Sequence, residues 1–193
     1  DINISNGSVE ILREKEIEIK KKFNSDFNLN ETQLNKIFKK IKFFKENKIK
    51  INGSLVHEFN LKMSDSFKIT DYEYKSNGNI LQSHLILQES FKSKFIERPI
   101  KKITLEKTKL EVNYNKKNNN LLILDGLYST DNTNYKKFKF KNNLNQKELN
   151  YFIDLDLSEN LFLDIINFKT NSKKKSNLKR VFFIKNNKFF FKS

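Results

Sequence analysis

The sequence predicts an α+β fold: a strongly curved antiparallel sheet forming an open, unclosed β-barrel, with helices over or in its concave face. Three observations lead there. Apolar and polar residues alternate in segment after segment from Ile49 to about Phe140, the period of strands with one buried face and one wet face. Turn-forming residues interrupt the alternation about every 8–12 residues, the spacing of a meander or barrel. One amphipathic helix, residues 31–46, precedes the strands.

Taken in order, residues 1–27 read as an N-terminal arm, weakly helical, with Ser8 capping a turn that carries Val9, Ile11 and Leu12. Residues 28–193 read as a single domain. Its helix opens with Asn30 at the N-cap and Gln33 three positions on, a capping-box arrangement. Leu34, Ile37, Phe38, Ile41 and Phe44 then form one apolar stripe, with Lys36, Lys39, Lys40 and Lys42 opposite. The period changes to two at Ile49: Ile49, Ile51, Leu55, His57, Phe59 and Leu61 alternate, then Phe67, Ile69, Tyr72 and Tyr74, with a slip at Thr70 that predicts a bulge.

Asn77-Gly78 predicts a hairpin turn. Strands are expected over Ile80–Leu87, Phe91–Glu97, Lys102–Leu105 and Lys109–Tyr114. Lys116–Asn119 is a polar turn into Leu121–Leu124, Asp125-Gly126 another turn, and Tyr135–Lys141 another strand. Asn145 and Glu148 form a cap pair, Phe152–Leu157 a strand, and Ser158 opens a short helix through Ile166. A polar loop, 169–177, leads to a closing hairpin of Val181–Ile184 and Phe189–Phe191.

At 193 residues without cysteine, the chain has no disulfide, no thiol chemistry and no cysteine-bound zinc, yet is long enough to fold on its own core. No run of apolar residues is long enough for a transmembrane helix. The net charge is +15, but of 38 basic residues only Arg13, Arg98 and Arg180 are arginine. Base-specific readers lean on the arginine fork, so the lysines read as a solvated surface.

Catalytic templates fail. His57 and His84 sit in strand patterns with no HExxH, and each reads as a sheet-surface residue. Four glycines supply no P-loop, GxGxxG or GxSxG. Asp154, Asp156 and Asp164 lack the glycine of a calcium loop. The expectation is a non-enzyme with no catalytic residue, cofactor or metal. The surplus of apolar material, 19 phenylalanines among it, predicts either a solid core or a cavity for apolar ligands.

The order helix, strand, aromatic-rich strand, proline and strand resembles the periplasmic outer-membrane lipoprotein carriers of the LolA type. Leu34 to Phe44 resembles the family's helix. Leu85-Ile86-Leu87-Gln88 resembles the strand before its Arg-Pro, and Phe91 to Phe95 its Phe-x-Trp strand. Pro99 with Ile103 matches the family's proline and the isoleucine four residues on, and Tyr114-Asn115 its Tyr-Asn strand end without a gap. Glu89-Ser90 stands in place of Arg-Pro, Phe95 in place of the tryptophan and Lys107-Thr108 in place of an Asp-Gly turn. The family's arginine, which holds a helical lid closed, therefore has no counterpart.

The resemblance implies a monomeric periplasmic chaperone, in its mature form, that shields the acyl chains of lipoproteins. Cargo would come from an inner-membrane lipoprotein-release transporter and pass to an outer-membrane acceptor, with no nucleic acid involved. The acyl cavity would be lined by Leu85, Leu87, Phe91, Phe95, Ile103, Leu105, Leu110, Val112 and Tyr114 on the sheet, and by Ile37, Ile41 and Phe44 on the helix. Two other readings compete. One is a lysine-rich adhesin-type surface protein that binds polyanions around a solid core. The other is a nucleic-acid-binding β protein with outward aromatics.

Overall fold

A computed structural model describes residues 1–14, 16–37, 46–92, 99–117, 120–131, 133–144, 149–157, 162–163, 168–169, 176–185 and 188–192. The chain makes β1 (Ile2–Arg13), β2 (Ile17–Asn30), α1 (Glu31–Ile37), β3 (Lys48–Met63), β4 (Ile69–Phe91), β5 (Ile100–Asn115) and β6 (Asn120–Thr130). β7 (Lys136–Leu144), β8 (Leu149–Leu157), β9 (Phe162–Leu163), β10 (Phe168–Lys169), β11 (Ser176–Lys185) and β12 (Lys188–Lys192) follow. Among the described residues, ten strands form one sheet in the order β1-β2-β3-β4-β5-β6-β7-β8-β11-β12, and β9 pairs with β10 apart from it. The pairings are all antiparallel. The sheet is unclosed, with β1 at one edge and β12 at the other.

Residues 1–30 correct the expectation of a helical arm. They form a strand hairpin that is part of the sheet, with Ile11 opposite Ile19 and Arg13 opposite Ile17. A register shift between Ser5 and Ser8, with Asn6 at φ 51°, breaks the alternation between Ile4 and Val9. The broken period is what imitates a helix in the sequence. The short helix itself starts as expected: the Gln33 amide donates to Asn30 Oδ1 at 3.1 Å and the Asn30 amide to Gln33 Oε1 at 3.0 Å. This reciprocal pair satisfies two N-terminal donors. α1 packs on β2 and β3, and Leu34 is its buried residue. The rest of the predicted helix, 38–45, lies outside the described residues, as do the Asn145/Glu148 cap pair and most of the helix expected from Ser158.

Two predicted turns are strand interior instead. Asn77-Gly78 lies inside β4 and Asp125-Gly126 inside β6. An Asn-Gly hairpin turn needs positive φ, and no glycine here has it. Close approach is what these glycines supply. A Cβ on Gly78 would strike the Ser54 carbonyl oxygen and lie 2.8 Å from Leu55 Cα; one on Gly126 would strike Thr108 Oγ1 and lie 2.6 Å from Thr108 Cα.

The expected slip at Thr70 is present: Lys62 pairs with Asp71 and Met63 with Ile69, so Thr70 is the extra residue. Two further irregularities sit side by side mid-sheet. Leu81 is extra in β4 against β3, between Gln82, which pairs with Asn52, and Ile80, which pairs with Gly53. β5 carries an extra residue against β6 between Glu106 and Lys109, with Lys107 at φ 46°. Lys107-Thr108 is therefore a bulge within β5, and Thr108 is fully buried. Each bulge switches which residue parity points to a given face. Because β4 and β5 switch at the same level, Ile80 pairs with Thr108 and Ser83 with Leu105, and the apolar set stays on one side.

Replacing Gly126 by alanine should destabilise the fold by about 1–3 kcal/mol, the usual range for overpacking. Asn77→Ala, at an exposed position of β4, should stay within about 0.5 kcal/mol. Urea unfolding followed by far-ultraviolet circular dichroism measures both.

Candidate functional site

Directly opposed residues of an antiparallel pair share a face, so the registers define two faces across the sheet. One transverse row runs Phe23, His57, Ser76, Val112, Leu122, Asn142 and Tyr151. The next runs Ser25, Leu55, Gly78, Leu110, Leu124, Phe140 and Ile153. With Phe59, Tyr74 and Tyr114 on one side and Ile80 and Phe138 on the other, these rows make one apolar face from β2 to β8. The opposite face carries Lys22, Glu58, Lys75, Asn113 and Lys139.

Among the described residues, no second sheet covers the apolar face. Each strand's substantial contacts are to its sheet neighbours, and among the described residues α1 is the other element that touches the sheet substantially, at β2 and β3. Leu110, Val112, Leu122 and Leu124 lie in central strands and are nonetheless only half-buried. Ile80, Phe138, Ile49 and Leu34 are the buried apolar side chains among the described residues. The accessible surface of 14000 Å² exceeds the roughly 9,700 Å² that a compact chain of this mass would show.

The predicted lining residues fall mostly on this face. Leu85 pairs with Ile103, Ser83 with Leu105, Gly78 with Leu110, Ser76 with Val112 and Tyr74 with Tyr114, and Leu87 follows Leu85 at the strand period. Phe91 pairs with Ile100 beyond a register shift and is 54% exposed. Ile37 ends α1 and is 52% exposed, so Leu34 takes the inward place on this helix. Phe95, Ile41 and Phe44 lie outside the described residues. The sequence reading left out Phe23, Phe27, Leu55, Phe59, Leu122 and Phe138. The same period-two signal runs through them and would have found them.

A polar seam crosses the apolar face at His57, which is buried rather than a surface residue. Its Nε2 lies 2.7 Å from Ser25 Oγ and its Nδ1 2.8 Å from the Tyr74 hydroxyl. Phe23 stacks on the imidazole at 4.6 Å between ring centroids. Both ring nitrogens are satisfied by hydroxyls, so the neutral ring needs no charge partner, and burial pushes its pKa below the usual histidine value. Beside it, Tyr72 and Tyr114 stack at 5.9 Å. Burial, then the Tyr114 phenol, raise the Tyr72 pKa. His84 is on the other face, where its Nδ1 is 3.3 Å from Thr104 Oγ1.

The polar face is laced by exposed ion pairs, among them Lys22–Glu58 at 2.7 Å, Lys75–Glu73 at 2.8 Å and Lys109–Glu111 at 2.6 Å. Such pairs contribute at most about 1 kcal/mol each. They also neutralise much of the lysine charge locally. A depression of about 340 Å³ on this face includes Glu10, Lys20, Lys22, Glu58, Glu73 and Lys75 in its lining. Among the described residues, no group of three or more His, Asp or Glu could hold a metal ion. No described helix is long and apolar enough to cross a membrane.

No protein-family model, no curated protein and no solved structure matches this chain.

The lowered pKa of His57 gives a pH signature. The unfolded state takes up the proton first, so stability is full above the unfolded value of about 6.5 and is lost as the pH falls below it. Urea midpoints should decline between about pH 7 and pH 5, and His57→Gln should flatten that decline. An equal slope in the variant would assign the effect elsewhere.

Proposed function

We propose that the apolar face binds acyl chains, and that the chain serves as a carrier for the lipid-modified part of lipoproteins. In this reading it is a periplasmic monomer without catalytic role or cofactor. It takes cargo from an inner-membrane release transporter and yields it to an outer-membrane acceptor. The observation that carries the reading is the incomplete burial of Leu110, Val112, Leu122 and Leu124 in the middle of a ten-stranded sheet. An apolar surface of that extent on a monomer marks a binding site.

Acyl chains suit such a face because they need area and no directional partner. A chain of about sixteen carbons, half covered, gains on the order of 6 kcal/mol at about 0.8 kcal/mol per buried CH₂. The pattern of Pro99, Ile103 and Tyr114 supports a carrier of the LolA type, and so does the unclosed antiparallel sheet. Strong curvature, with the apolar side concave and helices over it, belongs to the same reading. The bulges at Leu81 and Lys107 and the close approach at Gly126 are devices by which sheets curve.

The chain has six tyrosines and no tryptophan, and Tyr72, Tyr74, Tyr114, Tyr128 and Tyr151 stand on the apolar face by register. Titration with a tri-acylated peptide should therefore change the tyrosine emission. Leu110→Glu should weaken binding at least ten-fold, while Asn77→Glu on the polar face should leave it unchanged. Unaltered emission at saturating lipopeptide, with no lipid retained on the protein by native mass spectrometry, would overturn the proposal.

A further inference from the structure

The turn between β3 and β4 holds a phenylalanine out into solvent. Phe67 is 72% exposed and has φ 56°, a left-handed conformation that bulky residues rarely adopt. The turn is tightly bonded. The Ser64 amide donates to the Lys68 carbonyl and the Phe67 amide to the Ser64 carbonyl, both at 2.9 Å. The Lys68 amide donates to Ser64 Oγ at 3.3 Å, and Ser64 Oγ lies 2.9 Å from Ser66 Oγ. Ile69, 55% exposed, adds a second apolar side chain.

Lysines flank this tip. Lys116, at the β5–β6 turn, reaches it: its amide donates to the Tyr72 carbonyl at 3.1 Å and its Nζ to the Thr70 carbonyl at 2.5 Å. Lys68 and Lys117 are exposed beside it. Asp65 is the acidic residue of the turn. Glu14 and Glu16 belong to the β1–β2 turn on the other side, next to Met63, which pairs with Ile17. Arg13 and Lys15 offset these two carboxylates in the same stretch of sequence, so the basic excess lies on the β5 side of the tip.

The geometry points to a bilayer-docking tip: Phe67 and Ile69 insert among lipid tails, while Lys68, Lys116 and Lys117 meet anionic headgroups with the β5 side down. Exposed apolar tips rimmed by lysine gain both from burial and from anionic surface potential. The net charge of +15 draws the whole molecule toward such a surface. Strain at Phe67 is hard to account for by folding, because glycine there would relieve it and remove no buried contact. The tip is separate from the acyl-binding proposal and stands without it.

Flotation with phosphatidylcholine–phosphatidylglycerol vesicles tests this. Phe67→Gly should keep the melting temperature at or above that of the native chain and reduce vesicle binding about ten-fold or more, the loss expected for one buried phenylalanine. Phe67→Trp would be the sole tryptophan, and its emission should shift to the blue on adding vesicles. Lys116→Glu with Lys117→Glu should weaken binding to the anionic vesicles, and added salt should mimic that loss. Phe67→Gly that floats like the native chain would overturn the proposal, as would a Phe67→Trp emission indifferent to vesicles or a native chain that fails to float. Lipopeptide titration without vesicles reads the apolar face independently.

Discussion

Everything in this structure depends on register. Side chains of a strand alternate with a period of two, so a slip of one residue would exchange the apolar and polar faces of that strand. Here nine antiparallel ladders keep the two faces apart across ten strands. The matched bulges in β4 and β5 show how strictly this holds. Either bulge alone would carry Leu85 or Ile103 to the polar side; together they leave the Leu85–Ile103 pair in line with Gly78–Leu110. The bulges also bring Thr108 beneath Gly126, so that neither position has room for a larger residue.

The face thus maintained differs from an ordinary core. In a two-layer fold its leucines would be buried by the opposing layer; here they touch mainly their cross-strand neighbours. Polar residues within it are handled locally. His57 is bracketed by Ser25 and Tyr74. Ser76 Oγ and Asn142 Oδ1, on the same transverse row, are buried without a protein partner, at a cost of about 1–3 kcal/mol for each such atom. The row crossing at His57 is therefore one polar line across a mainly apolar surface, which also carries Ser25, Ser83 and Thr108, and the tyrosines Tyr72, Tyr74 and Tyr114 lie on its side toward the β3–β4 turn.

Much of this was legible in the residues, and what was not has a physical cause. Alternation identified the strands and most of the apolar set on β4 and β5. The capping pair Asn30/Gln33 and the slip at Thr70 were read correctly because each is a local signal with one dominant solution. Strand lengths were misread at the bulges. The period breaks at Leu81 and Lys107, so β5 looked like two strands, Lys102–Leu105 and Lys109–Tyr114. Asn77-Gly78 and Asp125-Gly126 looked like turns because glycine for close approach and glycine for positive φ have the same spelling. Residues 1–13 looked helical because a bulge at Asn6-Gly7 spoils their alternation. His57 looked like surface because nothing in one strand reveals the Ser25 and Tyr74 hydroxyls brought in by its neighbours.

The strand order, sequential except where β9 and β10 stand apart between β8 and β11, has a consequence of another kind. Each strand of the ten-stranded sheet is held by the strands before and after it, so stability is close to a sum over adjacent ladders, as in repeat proteins. Most contacts nonetheless join residues twelve or more apart, because the strands are long, so folding belongs to the slower range of β-rich chains even though each ladder closes on its neighbour. The order also makes the sheet extensible. A hairpin duplicated or inserted anywhere along this order would widen the apolar face by two strands without any rearrangement of the rest, so breadth is a quantity that evolution can adjust in steps.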